Sequence, residues 1–363
     1  MDKIKNILIC PLEWGLGHAG RMIPLARELQ KRNNNVITAC GKAHQELFSR
    51  ELPGAGHIHF PGFRPGYSRF IPQWIYLLLK TPLLFYHIIS EHIRLKRIIR
   101  KHDIDLVISD NRFGAWSRKV KSVYVTHLPV IPLPDSLRYF EWIGMLFHRF
   151  FINRYSFCLI PDLPGKINLS GRLTHGIKLP RNARFIGILS RFSGMTPPES
   201  NNFSFPHNTV ILSGPEPQRG MLRRKVTNAL KHFDTTTVVL EGKPGPETRS
   251  AENGKVISYN HLATGEMRDV LVSSSSIITR SGYTSVMELI SLGCSAMLIP
   301  TPGQTEQEYL ARHLAAKGWF LTIAQRQIDK MITLPHPEPA WPECIIKESR
   351  VLLEKALDEI LNQ

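Results

Sequence analysis

Acidic residues are the scarce class in this chain. Against 46 Lys and Arg stand only 30 Asp and Glu, a formal excess of +16, and such a deficit implies an anionic partner: nucleic acid, phospholipid headgroups or a phosphorylated substrate. Nucleic acid is set aside, because an RNA-binding aromatic motif, zinc-finger spacing and a long basic tail are all missing. Cysteine is sparse too. Cys10, Cys40, Cys158, Cys294 and Cys344 are odd in number, scattered and mostly embedded in apolar runs, which argues against a disulfide framework and for a reducing, cytoplasmic compartment. No clean run of about 20 apolar residues is present to span a bilayer. The opening MDKIKNILICPLEWG reaches Glu13 too soon to hold a signal h-region. Low-complexity segments and solenoid-period repeats are absent. The chain is read as having no acidic pair that would hold a metal against a diphosphate, and it calls for no cofactor.

What is present suits a soluble α/β protein. The length of 363 residues is long for one core and predicts two domains. The most informative stretch is 277–318. Residues 277–279 read as a buried strand that stops at Arg280-Ser281-Gly282, and Val286, Leu289, Ile290 and Leu292 then fall at helical spacing until Gly293 ends the helix. A strand therefore hands over to a helix N-terminus, where free N–H groups and the positive end of the dipole suit a phosphate. Ser281 and Thr284 add hydroxyls there and Arg280 a fixed charge. Glu288 lies two turns beyond Ser281, about 10 Å up the axis, one ribose past a diphosphate. A second strand at 296–300 ends in the loop 301–308, whose Gln304, Glu306, Gln307 and Glu308 are placed to bond sugar hydroxyls.

These residues resemble the donor half of the two-domain glycosyltransferases that include the peptidoglycan lipid-intermediate N-acetylglucosamine transferases and the plant galactolipid synthases. The resemblance rests on Arg280-Ser281-Gly282, Glu288-Leu289, Leu292-Gly293, Ile299-Pro300 and Gln307. It implies that Ser281 and Gly282 hold a donor diphosphate and that Glu288 holds the ribose. Glu308 departs from the pattern, since the relative has a second Gln there, so the transferred sugar is left open. The fold implied is two facing Rossmann-like domains with an interdomain cleft, the GT-B fold. The boundaries expected are 1–163 for the acceptor side and 164–344 for the donor side, with a final helix at 345–363 crossing back over the first domain. By the same resemblance Arg191, after a crossing strand at 185–189, reaches the donor phosphates. Ser213 and Gly214, in a turn shortened of donors by two prolines, contact the donor, with Gln218 and Arg219 beside them. A uracil edge would meet backbone near 260–266.

In the first half, a strand at 4–11 leads into Gly15, Gly17 and Gly20, which spell G-x-G-x-x-G. A dinucleotide site is declined, because the second strand ends in Gly41-Lys42 where a ribose-binding acid is required. The resemblance instead implies a Gly-rich acceptor loop, Gly15 and Gly17, ending in a histidine, which makes His18 the general base and Glu13 the fallback. Pro24 is expected near the start of the helix that follows. Strands at 104–110 and 122–127 place Asp110, Arg112 and His127 at carboxyl ends, where ligands of a parallel sheet gather. The apolar stretch 70–89 is read either as a buried helix pair or as a flap that dips into a membrane surface. A basic helix from near Glu91 and the aromatic stretch 138–153 would join that flap.

The expected activity is metal-independent, inverting transfer of a sugar from a nucleotide diphosphate, with uridine as the base, to a hydroxyl of a lipid-linked or glycan acceptor. Its setting would be the cytoplasm or the inner face of the cytoplasmic membrane, against an anionic lipid surface. A UDP-N-acetylglucosamine 2-epimerase and a non-catalytic nucleotide-sugar binder stay open beside it.

Overall fold

The computed structural model describes residues 4–64, 66, 71–195, 203, 205–214, 216–230, 234–243, 249–252, 255–330, 334 and 336–362. Much of the loops expected at 62–68 and 193–208, and Pro215 in the 213–217 turn, lie outside them. The first sheet contains β1 (Asn6–Cys10), β2 (Asn35–Cys40), β3 (Gly56–His59), β4 (Leu106–Asp110), β5 (Lys121–Val125), β6 (Phe157–Ile160) and β7 (Ala183–Phe185) in the order β3-β2-β1-β4-β5-β6-β7. All its pairs are parallel. Its central strands are near-continuous apolar runs because helices cover both faces; β4 is buried at all five positions.

The second sheet repeats the plan. β8 (His207–Ile211), β9 (Thr236–Leu240), β10 (Arg249–Glu252), β11 (Val256–Tyr259), β12 (Ser276–Thr279), β13 (Met297–Leu298) and β14 (Leu321–Thr322) run in the order β10-β11-β9-β8-β12-β13-β14. Only β10 is antiparallel to its neighbour. In each domain the first strand sits mid-sheet where the order reverses, the position at which a doubly wound sheet opens a crevice at its carboxyl edge. The two-domain α/β architecture is the one expected.

Three boundaries differ from expectation. First, β7 pairs with β6 in the first sheet, so that sheet extends to Phe185 and the crossing follows it instead of falling at 163. Secondly, the first helix, α1 (Leu16–Lys31), begins at Leu16 and carries Pro24 in its interior. Gly17, His18 and Gly20 are therefore helical residues and not loop residues. Thirdly, the basic helix does not begin near Glu91: α4 (Thr81–Lys101) follows directly on α3 (Gln73–Leu79). The pair is not buried. Leu79 is 68% exposed and Tyr86 67%, because only Ile88, Leu95 and Ile99 of α4 turn inward. The remaining helices are α2 (Lys42–Glu51), α5 (Glu141–Ile152), α6 (Gln218–Leu230), α7 (Thr264–Val272), α8 (Tyr283–Ser291), α9 (Thr305–Ala316) and α10 (Cys344–Asn362).

The last helix returns to the first domain. Glu359 of α10 pairs with Arg184 at 2.7 Å, Ser349 Oγ accepts from Ile188 N–H at 2.9 Å, and Lys121 Nζ donates to the Ile360 carbonyl at 3.2 Å, where a cation meets the negative end of the helix dipole. Gly187 makes this crossing possible: a Cβ there would sit 2.1 Å from Ser349 Cα.

Candidate active site

The two sheets face each other across a cavity of about 1090 Å³. Its donor-side wall is the corner β12–α8. Gly282 caps α8 with extended backbone (φ −73°, ψ 136°) and no side-chain cap, so the first N–H groups of the helix stay available to an anion. Gly282, Tyr283, Thr284, Ser285 and Glu288 line the cavity there, with Ser213, Gly214 and Arg219 and with Gln304, Glu306 and Gln307 from the cap and first turn of α9. Gln307 is held by its side-chain oxygen, which accepts from Thr301 N–H at 2.9 Å.

Not every expected donor residue faces the cavity. Arg280 is buried and its guanidinium donates to the carbonyls of Ile299, Pro300 and Gln218 at 3.0–3.2 Å. Its charge serves to tie the α8 corner to its neighbouring loops, since a buried guanidinium needs its donors satisfied. The Ser281 hydroxyl likewise points away and donates to the Gln307 carbonyl at 2.8 Å. Glu308 accepts from Gly303 N–H at 2.9 Å and lies outside the cavity lining. What the corner offers a ligand is backbone N–H, not the Arg-Ser pair that marked it in the sequence.

Glu288 and Arg191, both expected at the donor, are found together, with Arg191 Nε 2.9 Å from a Glu288 oxygen. Burial pushes the Glu288 carboxyl above its ordinary range and Arg191 only partly offsets this. A carboxylate held in this way is a good acceptor for a pair of hydroxyls.

The acceptor-side wall is the corner β1–α1. His18 stands on the first turn of α1, with Nδ1 2.8 Å from Asp110 Oδ2 at the end of β4. Asp110 is fully buried. Burial alone would raise its carboxyl, but Arg21 and His18 outweigh that and hold it at about 2. An ionised carboxylate only accepts, so this contact calls for Nδ1–H on His18 and a lone pair on Nε2. Asp110 does not meet ligand itself. Arg112 is a second correction: although beside the cavity, its guanidinium is buried, donating to Glu91 and to the carbonyls of Ala39 and Phe60, and it serves the fold. Glu13 is also committed. It accepts from Gly41 N–H and from Arg64; burial raises the carboxyl, but those bonds and His44 prevail and hold it below its usual range, so it is a poor fallback base.

The glycines acquire a packing reason. A Cβ on Gly17 would come 3.3 Å from Thr284 Oγ1, and one on Gly20 would come 3.7 Å from Glu288 Oε1. Thr284 Oγ1 donates to the Gly17 carbonyl at 3.1 Å. The spacing that spells a dinucleotide fingerprint is where α1 and α8 approach across the cleft, and Gly15 and Gly17 both line the cavity.

Sequence reading missed Arg21, buried with its guanidinium on Asp110, His18 and His127. Its spacing of three from His18 would have flagged it, had the helix been started at Leu16. His127 lines the cavity as expected and is stacked on Tyr283 with ring centres 4.2 Å apart. The dismissal of an acidic pair also needs correcting, since Asp103-Ile104-Asp105 is of D-x-D form. It precedes β4 at the amino edge of the sheet, away from the cleft, where Asp105 accepts from Asn6 N–H at 2.8 Å.

Beyond His18 the cavity changes character. Trp74, Leu77, Leu84, Ile88, Ile143 and Phe147 line it between α3–α4 and α5. Outside, Leu79, Tyr86, Ile89, Trp142, Leu146 and Phe150 are exposed. Among the described residues no helix is long and apolar enough to cross a membrane.

Comparison with known proteins agrees with this geometry. Residues 228–333 match the glycosyltransferase family 28 C-terminal domain. The chain is 23% identical over 150 residues to the UDP-N-acetylglucosamine–N-acetylmuramyl-(pentapeptide) pyrophosphoryl-undecaprenol N-acetylglucosamine transferase of Sulfurihydrogenibium sp. (strain YO3AOP1), covering 41% of this chain and 42% of that one. To the enzyme of the same name from Desulforudis audaxviator (strain MP104C) it is 29% identical over 138 residues, 36% of each chain. It thus spans about two-fifths of the length of these curated relatives. Across its whole length it superposes on the glycotransferase of kitacinnamycin with a TM-score of 0.62 at 13% identity, covering 94% of that chain. On MurG of Acinetobacter baumannii the TM-score is 0.54 at 12% identity, covering 99% of this chain and 100% of that one. A match to the family 28 C-terminal domain over residues 228–333 is thus set in a chain that has the two-domain GT-B fold of the glycosyltransferases on which it superposes.

Proposed function

We propose that the protein transfers a sugar, with inversion, from a uridine diphosphate sugar to a hydroxyl of a lipid acceptor. The observation that carries this reading is the confrontation of His18, whose Nδ1 lies 2.8 Å from Asp110, with the uncapped N-terminus of α8 across one cavity. His18 Nε2 takes the proton of the acceptor hydroxyl as its oxygen attacks the anomeric carbon. The bond from that carbon to the diphosphate breaks on the opposite face, and the leaving group's charge falls on the N–H groups of the first turn of α8. Glu288 holds the ribose hydroxyls, which requires Arg191 to share it or to turn to the phosphates. Gln304 and Gln307 meet the sugar.

The apolar end of the cavity favours a lipid over a glycan acceptor, because a sugar chain would leave that lining unsatisfied while an acyl or prenyl chain would be buried by it. It also disfavours a 2-epimerase, which needs no acceptor. Arg138, at the entry to α5, and Arg97, one turn past exposed Ile93 on α4, are themselves exposed, an arrangement suited to an anionic lipid surface. The test is a panel of uridine and thymidine diphosphate sugars incubated with lipid hydroxyl acceptors in phosphatidylglycerol vesicles, followed by release of nucleotide diphosphate. Product on a lipid acceptor is expected. Epimerised donor without acceptor, or donor binding without turnover on any acceptor, would replace this reading.

A further inference from the structure

His18 stands at one end of a chain of contacts that crosses from one domain to the other, and the chain contains a conflict. Its Nδ1 is 2.8 Å from Asp110 Oδ2 and also 2.8 Å from Arg21 Nη2. The two contacts exclude each other. Arg21 has only donors, so a bond from it to Nδ1 requires that atom to be bare, which moves the ring proton to Nε2 and removes the base. A bond from Nδ1–H to Asp110 requires Arg21 to spend its N–H groups elsewhere.

The rest of the chain decides between them. Arg21 Nε donates to Asp110 Oδ2 at 2.9 Å and Nη2 also reaches Oδ1. Nη1 donates to His127 Nδ1 at 2.8 Å. That bond fixes the proton of His127 on Nε2, which donates to Glu306 Oε1 at 2.8 Å. Glu306 is on the first turn of α9 in the donor domain, and Tyr283 of α8 covers the His127 ring. The donor domain therefore grips His127 from two sides, and His127 holds the far end of Arg21.

Resting on the transferase reading above, we propose that Arg21, His127 and Glu306 are positioning residues that fix the proton of His18 on Nδ1, so that docking of the donor domain completes the base. Glu306 acts through His127 and Arg21 and touches no reacting atom. With Glu306 or His127 removed, the hold on Arg21 Nη1 is lost, the guanidinium tips towards the His18 Nδ1 that its Nη2 already contacts, and the imidazole adopts the unproductive tautomer. A base that depends on the donor domain is deployed only when the cleft is closed, which guards against loss of the donor sugar to water.

The experiment is nitrogen NMR of the full chain with isotope-labelled histidine, His18 and His127 being assigned by single replacements. It is run on wild type, Glu306→Leu, Glu306→Gln and His127→Phe, each checked for a native melting transition. Wild type should show His18 as Nδ1–H and His127 as Nε2–H. Glu306→Leu and His127→Phe should shift His18 towards Nε2–H and lower kcat on the order of tenfold or more, with donor KM within about twofold. Glu306→Gln retains an acceptor oxygen for His127 and should restore both. An unchanged His18 tautomer in Glu306→Leu and His127→Phe, or a Glu306→Gln as defective as Glu306→Leu, overturns the proposal; so does a rise in donor KM without a tautomer change, which would make Glu306 a sugar contact. A tautomer shift in a protein that transfers no sugar leaves the relay standing and sinks the reaction.

Discussion

The two corners that face each other across the cleft are built alike and work differently. Each is a parallel strand that turns into a helix N-terminus, β12 into α8 on one side and β1 into α1 on the other. At the donor corner the marked side chains turn inward: Arg280 and Ser281 bond backbone carbonyls, and the face left to a ligand is backbone N–H. At the acceptor corner the chemistry is all side chain: His18, Asp110, Arg21 and His127 come from α1 and the ends of β4 and β5. A site made of backbone has a local sequence signature, because a turn has to be spelled by neighbouring residues. A site made of side chains brought together by a sheet has none.

That contrast sets the largest expected effect. His18→Ala should lower turnover roughly 10²–10⁴-fold while leaving the dissociation constant for UDP unchanged, as read by calorimetry beside steady-state kinetics. Equal loss of binding would mean that the corners are not separable. Glu288→Ala should do the reverse and weaken UDP binding by about 10–100-fold, the worth of bonds to a charged acceptor, with Asp110 and His18 undisturbed. A Glu288→Ala variant with wild-type UDP affinity would remove the ribose role.

Acidity should weaken both domains, through buried His148 in the first and half-buried His313 in the second. Burial pushes His148 of α5 down to about 4, and burial with Lys317 and His175 does the same to His313 of α9. Their unfolded value is about 6.5, so between about pH 6.5 and 4 the unfolded chain binds more protons than the folded one, and stability falls as pH falls through that window. Melting temperatures from pH 7 to 4.5 should drop in wild type and drop less in His148→Gln. A curve that His148→Gln leaves as steep would assign the acid loss elsewhere. The smallest effect is expected at the contact between the corners. Gly17→Ala puts a methyl 3.3 Å from Thr284 Oγ1, so kcat should fall severalfold with little change in melting temperature. No change would mean that α1 and α8 have room to spare.

Legibility in the sequence follows the same division. The alternation of buried strands and helices gave both sheets, since a parallel strand covered on both faces has to be apolar throughout. The β12–α8 corner was readable from Arg280-Ser281-Gly282 and Glu288, although the side chains that mark it support the corner and do not meet the ligand. The start of α1 was not readable, because Gly15, Gly17 and Gly20 look like loop residues until α8 supplies the reason for them. Arg21 was missed for that reason, and the β6–β7 pairing was missed because a three-residue edge strand has too short a pattern to announce its sheet.

The most direct test of the account is a crystal structure of the chain with UDP. Diphosphate oxygens over the N–H groups of Gly282–Thr284, with both ribose hydroxyls on Glu288 and His18 Nε2 open to the remaining cavity, is the predicted result. Phosphates bound at the β1–α1 glycines, or a ribose that leaves Glu288 paired to Arg191 alone, would contradict it.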